Sequence, residues 1–255
     1  MKLAIMQPYF FPYLGYFQAI HAVDKYILYE HFNYPTEGWM SRNRLIMKYN
    51  QPFFINALVK EKSPFKKIHE IELLENIQWK KKLLKTLFLN YKGSIYFDEI
   101  YSLIERIILF ECKFLHDYNA NGIKSICQFL DIKTEISYKN SSYVKLEYEL
   151  DNLNLDNPYF NPYYNLTKLE KKVARIIAIC KMEKTTVYIN AIGGRDLYDK
   201  TIFKENGIDL LFVETKQYSY DQFSKEFISH LSIIDVLMHN GKEGTKKLIE
   251  NYNLI

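Results

Sequence analysis

The first 29 residues constrain the fold more than any other part of the chain. A short apolar run, Lys2–Met6, stops at Gln7-Pro8. An aromatic loop follows, Tyr9-Phe10-Phe11-Pro12-Tyr13-Leu14-Gly15-Tyr16, and leads into a short helix at 17–23. Residues 25–29 are a second β-favouring run. Strand, helix and strand in this order open an α/β fold. The rest of the chain agrees. Residues 53–59 and 68–74 read as strands; from Trp79 the period turns helical, with Leu83, Leu84, Leu87, Phe88 and Tyr91 recurring on one face. Helical spacing continues over 100–114 and 123–130, returns at 169–182, and closes the chain at 232–238 and 245–252, whereas 185–190 and 208–213 read as strands. The expectation is an α/β sheet with flanking helices and a substantial central helical segment. One domain spans 1–255, with the polar, Asn-rich stretch 139–165, carrying Pro158 and Pro162, as the candidate boundary between two lobes.

Composition removes several classes. With 48% hydrophobic and 25% charged residues but only 9 Gly and 7 Pro, the chain is neither collagen-like nor disordered. A net charge of +4 is too mild for a dedicated nucleic-acid binder, so no nucleic acid is expected. Lys80-Lys81-Lys82 lies on a helix with an apolar opposite face and reads as solvated surface. Cys112, Cys127 and Cys180 are widely spaced and lack a CxxC pattern, which argues against a disulfide scaffold and suits a reducing cytoplasm. The opening apolar run is too short for a signal peptide, and no window approaches 18 uninterrupted apolar residues. A soluble, cytoplasmic protein without membrane insertion is expected. No Walker loop, HExxH, Gly-x-Ser-x-Gly or metal-spaced cluster is present, so no metal site is expected.

Four clusters carry candidate chemistry. The first is Gln7 with Tyr9, Tyr13 and Tyr16, where a strand end meets a helix start, the usual place for a phosphate in α/β proteins. This loop is similar to the Phe-x-Pro-x-His-x-Gly-His loop of nucleotidylyltransferases, with tyrosine at both histidine positions; an aromatic packing loop explains it as well. The second is His21, Asp24, Glu30, His31, Asn33, Trp39, Arg42, Asn43 and Arg44. Here Arg42-Asn43 offers a planar guanidinium beside an amide, and Glu30 or His31 a general base. His31 is preferred, because adjacent residues of a strand point to opposite faces and Glu30 would then face away. The third is Asn190 with Gly193-Gly194, whose glycines can take positive φ or serve as a plain turn. The fourth is Asp235, on an otherwise apolar helix capped by Ser232 and ended by Asn240-Gly241; it is a structural acceptor or a site residue. The first three clusters follow strands and are expected to open on one edge of a parallel sheet as a single site.

Taken together, these stretches resemble the WbqC-like protein family. The resemblance is carried by Ile5 to Phe17, by His21-Ala22-Val23-Asp24, and by Gly38-Trp39 followed by Arg42-Asn43-Arg44. It continues through Tyr188-Ile189-Asn190, Ile192-Gly193-Gly194 and Leu197-Tyr198 to Leu231-Ser232-Ile233-Ile234-Asp235 and Asn240-Gly241. The chain departs from the family in having Glu30-His31 for an acidic pair and Pro35-Thr36-Glu37 where a lysine precedes Gly38. The resemblance implies a role in bacterial cell-surface glycan synthesis (O-antigen, capsule or flagellar glycan). Its expected chemistry is N-acyl or aminoacyl transfer, such as glycyl, to a nucleotide-linked amino sugar, with an acyl or aminoacyl donor as co-substrate. Catalytic roles then fall to His31, Glu30 and His21. The nucleotide sugar falls to Gln7, Tyr9, Tyr13, Tyr16, Asn33, Trp39, Arg42, Asn43, Asn190, Gly193, Gly194 and Asp235. A nucleotidylyltransferase-like enzyme and a non-catalytic partner of glycan enzymes are the alternatives.

Overall fold

The computed structural model describes residues 1–47, 51–152 and 168–255. Its main sheet contains β1 (Lys2–Met6), β2 (Lys25–Leu28), β5 (Glu135–Ser137), β6 (Val187–Ala191), β7 (Asp209–Thr215) and β8 (Tyr252–Leu254). The strands lie in the order β5-β2-β1-β6-β7-β8, while β3 (Arg42–Met47) and β4 (Gln51–Asn56) form a separate antiparallel hairpin. Every pairing in the main sheet is parallel except that of β8 with β7. The helices are α1 (Leu14–His21), α2 (Ile77–Tyr91), α3 (Phe97–Leu109), α4 (Leu115–Phe129), α5 (Ser141–Asp151), α6 (Lys168–Met182), α7 (Lys200–Glu205) and α8 (Ile233–Ile249). This is the expected α/β architecture, with α2–α4 as the central helical segment. No helix among the described residues is long and apolar enough to cross a membrane.

Alternate strand residues feed two separate cores. Leu3, Ile5, Ile27, Tyr188, Leu210 and Phe212 pack with α5, α6 and α7. Ala4, Tyr26, Leu28, Ile189 and Val213 pack on the other face with α1–α4 and α8. The side-chain period of two in a strand produces this division. Strand order grows outward from β1 in both directions, so the connections lie on opposite faces: α1 links β1 to β2 on one side, and α7 links β6 to β7 on the other. The reversal falls between β1 and β6. In open α/β sheets, that is where a crevice opens at the carboxyl ends of the strands.

Several elements differ from the sequence pattern. Residues 68–74 form no regular strand. Their backbone donors go in turn to different partners, Ile68 to Phe32, His69 to Glu30, Leu73 to Lys113 and Leu74 to Leu58, after a short 3-10 turn at Ile68–Glu70. The polar stretch before Met47 yields β3, because Arg42 and Arg44 face outward while Asn43 and Leu45 are buried. Within 139–165, residues Ser141–Asp151 form α5, capped by the Asn140 side chain, with Tyr143, Leu146 and Leu150 buried at helical spacing. Pro158 and Pro162 lie outside the described residues. Ser232 caps α8 as expected, and the helix breaks at Gly241, but Tyr252 belongs to β8 rather than to a helix.

Gly241 has φ of 61°, and a Cβ placed there would lie 2.5 Å from the Tyr96 ring. Gly241→Ala therefore combines left-handed strain with a clash, at a cost of about 1–3 kcal/mol. Thermal denaturation should show Tm lowered by several degrees, at roughly 2–4 °C per kcal/mol for a chain of this size. An unchanged Tm would mean that the kink relaxes without cost.

Candidate active site

The loop after β1 is fixed before any ligand arrives. Phe11 takes a left-handed conformation, φ 42°, which is rare for a bulky residue. Its carbonyl accepts from Asn43 Nδ2 at 2.6 Å and from Ser232 Oγ at 2.8 Å. Asn43 Nδ2 also reaches the Phe10 carbonyl at 3.0 Å, and Asn119 Nδ2 donates to both Pro8 and Met40 carbonyls at 2.8 Å. Three side chains from distant parts of the sequence thus clamp one loop. Tyr16 belongs to the same framework: it is fully buried and its hydroxyl donates to the Gln7 carbonyl at 2.8 Å. Asn43 and Tyr16 therefore have their polar atoms engaged in structure. Tyr9 and Tyr13 are partly exposed, with Tyr9 packed on Tyr16 and Tyr13 edge-on to His230.

Just beyond β2 lies a dense cluster of titratable groups. β2 ends at Leu28, so Glu30 and His31 stand outside the strand and its alternation no longer separates them. Glu30 Oε1 accepts the Lys139 backbone N–H at 2.7 Å, at the end of neighbouring β5. The Glu30 carbonyl accepts both the backbone N–H of His69 and its ring Nδ1 at 3.1 Å. The rings of His31 and His69 lie 5.1 Å apart, edge to face. From α4, His116 Nε2 lies 3.4 Å from Asp117 Oδ1, which also pairs with Lys139 Nζ at 2.7 Å. Behind them Tyr29 donates to Glu147 at 2.5 Å, and Glu147 holds Arg175 through two hydrogen bonds in a buried ion pair.

Burial sets the protonation of this cluster. Desolvation lifts the Glu30 carboxyl from 4.5 to about 7, only partly opposed by the Lys139 backbone hydrogen bond. Desolvation likewise lowers His116 to about 4 and lowers His31, with His69 adding to the latter. Both imidazoles are neutral at pH 7.

Their tautomers follow from their partners. A carbonyl only accepts, so His69 carries its proton on Nδ1. His31 Nε2 is buried and has no partner among the described residues. The Asp117 carboxylate favours the proton of His116 on Nε2, leaving the buried, unpartnered Nδ1 with a lone pair. The cluster thus holds two buried, unpartnered imidazole nitrogens beside the Glu30 carboxyl, while the ring N–H groups of His69 and His116 are spent within the protein. Among the described residues no group of three His, Cys, Asp or Glu fits a metal ion.

The other expected residues divide between this edge and elsewhere. Leu3 pairs with Tyr188, so Gln7 and Asn190–Gly194 leave neighbouring parallel strands on one edge, beyond the last pairing of β1 with β6. Glu30 and His31 leave the next strand on the same edge. Asn190 Oδ1 accepts the Ala191 N–H, and its amide packs where a Gly194 Cβ would stand. Gly194 is thus a packing glycine, Gly193 has open space around it, and neither uses positive φ.

Asn33 is exposed and bridges Lys67. Trp39, Arg42 and Arg44 form the outer face of the hairpin. Asp235 is fully buried and takes hydrogen bonds from Tyr91, Tyr220 and Gln222, the structural acceptor among its two readings. His21 does not join Glu30 and His31. It lies before β2, in a cleft of about 420 Å3 shared with Asp24, Asp131 and Lys246, with about 13 Å of strand between it and the cluster.

The pattern missed His69, His116, Asp117 and Lys139, which only the tertiary fold brings to Glu30. One signal was available: His116-Asp117 is the same His–carboxylate pairing as Glu30-His31.

A mostly parallel, doubly wound sheet with a polar cluster at the carboxyl ends of its strands places this chain among the open-sheet α/β folds. Residues 7–247 match the WbqC-like protein family, and the chain belongs to it. It is 29% identical over 246 residues, covering 95% of each chain, to the uncharacterized protein Rv1507c of Mycobacterium tuberculosis. No solved structure matches the chain.

The Glu30 pKa has a thermodynamic consequence. Because the folded value, about 7, exceeds the ordinary 4.5, the folded chain binds more protons between these values. The stability linked to Glu30 is complete below about pH 4.5 and is lost as pH rises through about 7. Glu30→Gln keeps an acceptor for Lys139 but cannot ionise. Urea denaturation at pH 5 and pH 8 should show the variant gaining stability relative to the native protein at the higher pH. A difference independent of pH would contradict a desolvated carboxyl.

Proposed function

We propose that this protein transfers an acyl or aminoacyl group to the amine of a nucleotide-linked sugar in the synthesis of bacterial cell-surface glycans, in the cytoplasm. The observation that carries the reading is the set of unpaired imidazole acceptors beside Glu30, since a sugar ammonium brings donors and positive charge to such a site. The ammonium donates to His31 Nε2 and His116 Nδ1 and is drawn by the ionised Glu30 carboxylate. His31 takes one proton, because His116 is too weak a base at neutral pH. The freed nitrogen lone pair attacks the acyl carbonyl and the C–N bond forms; the nitrogen gives its second proton to the Glu30 carboxylate, the bond to the donor's leaving group breaks, and His31 passes its proton to that group. Family membership and the buried, unpaired Cys127 and Cys180 agree with this setting.

Incubation with nucleotide-linked amino sugars and acyl or aminoacyl donors should yield a product heavier by the acyl group, read by mass spectrometry. His31→Gln should lower kcat by about 10²–10⁴, the usual share of general acid–base catalysis. KM for the amino sugar should fall as pH rises through about 7, and Glu30→Gln should flatten that dependence. Full turnover in His31→Gln would remove His31 as the base, and no product with any amino sugar would sink the transfer itself.

A further inference from the structure

The β3–β4 hairpin carries a four-membered ladder on its outer face. The Arg42 guanidinium stands 5.0 Å from the centre of the Phe54 ring, and Arg44 stands 5.7 Å from that of Trp39. The two rings stack on each other at 6.4 Å and 28°. Register explains the arrangement: Arg42 and Arg44 point to the same side of β3, and Arg44 pairs across the hairpin with Phe54. Phe54 is 50% exposed and Trp39 38%, although large aromatic faces normally hide in the core.

Neither arginine has a carboxylate partner among the described residues. Arg42 gives one N–H to the Glu37 carbonyl at 2.5 Å, and the Nε atoms of both arginines are shielded from solvent without a partner. Two permanent charges, held planar by the rings beneath them, therefore face outward without a counter-ion. Guanidinium forks held this way match phosphate oxygens and lose little freedom on binding.

We propose that this ladder anchors the diphosphate of a nucleotide-linked ligand, with the exposed Trp39 and Phe54 rings lying against its base; the ligand class rests on the function proposed above. The ladder is tied to the polar cluster through α4. Asn119 holds the Met40 carbonyl just before β3, and His116 lies one turn earlier on the same helix. The path from His116 to Arg42 is thus about 20 Å at most, counted along backbone and hydrogen bonds. The hairpin and the polar cluster are therefore braced by one helix, α4.

Trp39 supplies the readout, because the other tryptophan, Trp79, is buried. Uridine diphosphate titrated into the whole protein should quench Trp39 fluorescence saturably. Inorganic pyrophosphate should compete and uridine should not. Arg44→Gln should weaken uridine diphosphate at least tenfold, and Arg44→Lys should show a smaller loss because it keeps charge without the fork. Both variants should keep the native Tm, since the Arg44 backbone bonds remain. Glu30→Gln and His31→Gln should bind uridine diphosphate as the native protein does. Equal affinity in Arg44→Gln and the native protein, or quenching that persists in Trp39→Phe, would overturn the anchor. The two readings fail separately. Tight, Arg44-dependent binding without amino-sugar acylation sinks the transfer and keeps the anchor; acylation of a nucleotide-free amino sugar at the full rate does the reverse.

Discussion

The structure depends on one strained turn. Phe11 sits in a left-handed conformation that a bulky side chain adopts only when its surroundings enforce it. Asn43 from the hairpin and Ser232 from the α8 cap converge on its carbonyl, while Asn119 from α4 holds the carbonyls on either side of the crossing. Each of these amides or hydroxyls is buried and would be costly if unpaired. The loop, the hairpin and two helices therefore stand or fall as a unit. This explains why polar residues far apart in sequence belong to one pattern although few of them face a ligand.

The cluster at Glu30 follows from that rigidity. Side chains brought together at the end of β2 are withdrawn from water by α4 and by the 68–70 turn, so their charged forms lose hydration. His31 and His116 respond by staying neutral, and the ring protons of His69 and His116 are held by a carbonyl and a carboxylate of the protein itself. Two ring nitrogens, His31 Nε2 and His116 Nδ1, are left buried there without a partner, a cost that the rest of the fold offsets.

Much of the fold was legible in residues 2–29, where strand, short helix and strand alternate plainly, and in the two apolar strands of 185–213, although α7 between them was not. The hairpin was not, because the outward arginines of β3 mask its alternation and the side-chain N–H groups of its inward polar residue, Asn43, are satisfied by a loop some thirty residues earlier. Residues 68–74 misled for the opposite reason: they are apolar enough for a strand, yet they pair with three different segments. At the site, Glu30 and His31 were readable as a pair. Their orientation was not, since it turns on where β2 stops. His69 and His116 carry no spacing signal toward His31, because contacts across the fold leave none in a single sequence.

The two cores divided by the sheet limit how this chain can vary. In β1, Leu3 and Ile5 enter one core and Ala4 the other. A single residue gained or lost within the strand would exchange large and small side chains between the two compartments at once, leaving a void in one and a collision in the other. Length changes are thus barred from the central strands and confined to connections outside them. The spacing from β1 to the clamped Phe11 turn is locked for the same reason, since its carbonyls must meet donors fixed on other elements. Related chains that keep this architecture should differ by substitution along 2–16 and by insertion only beyond it.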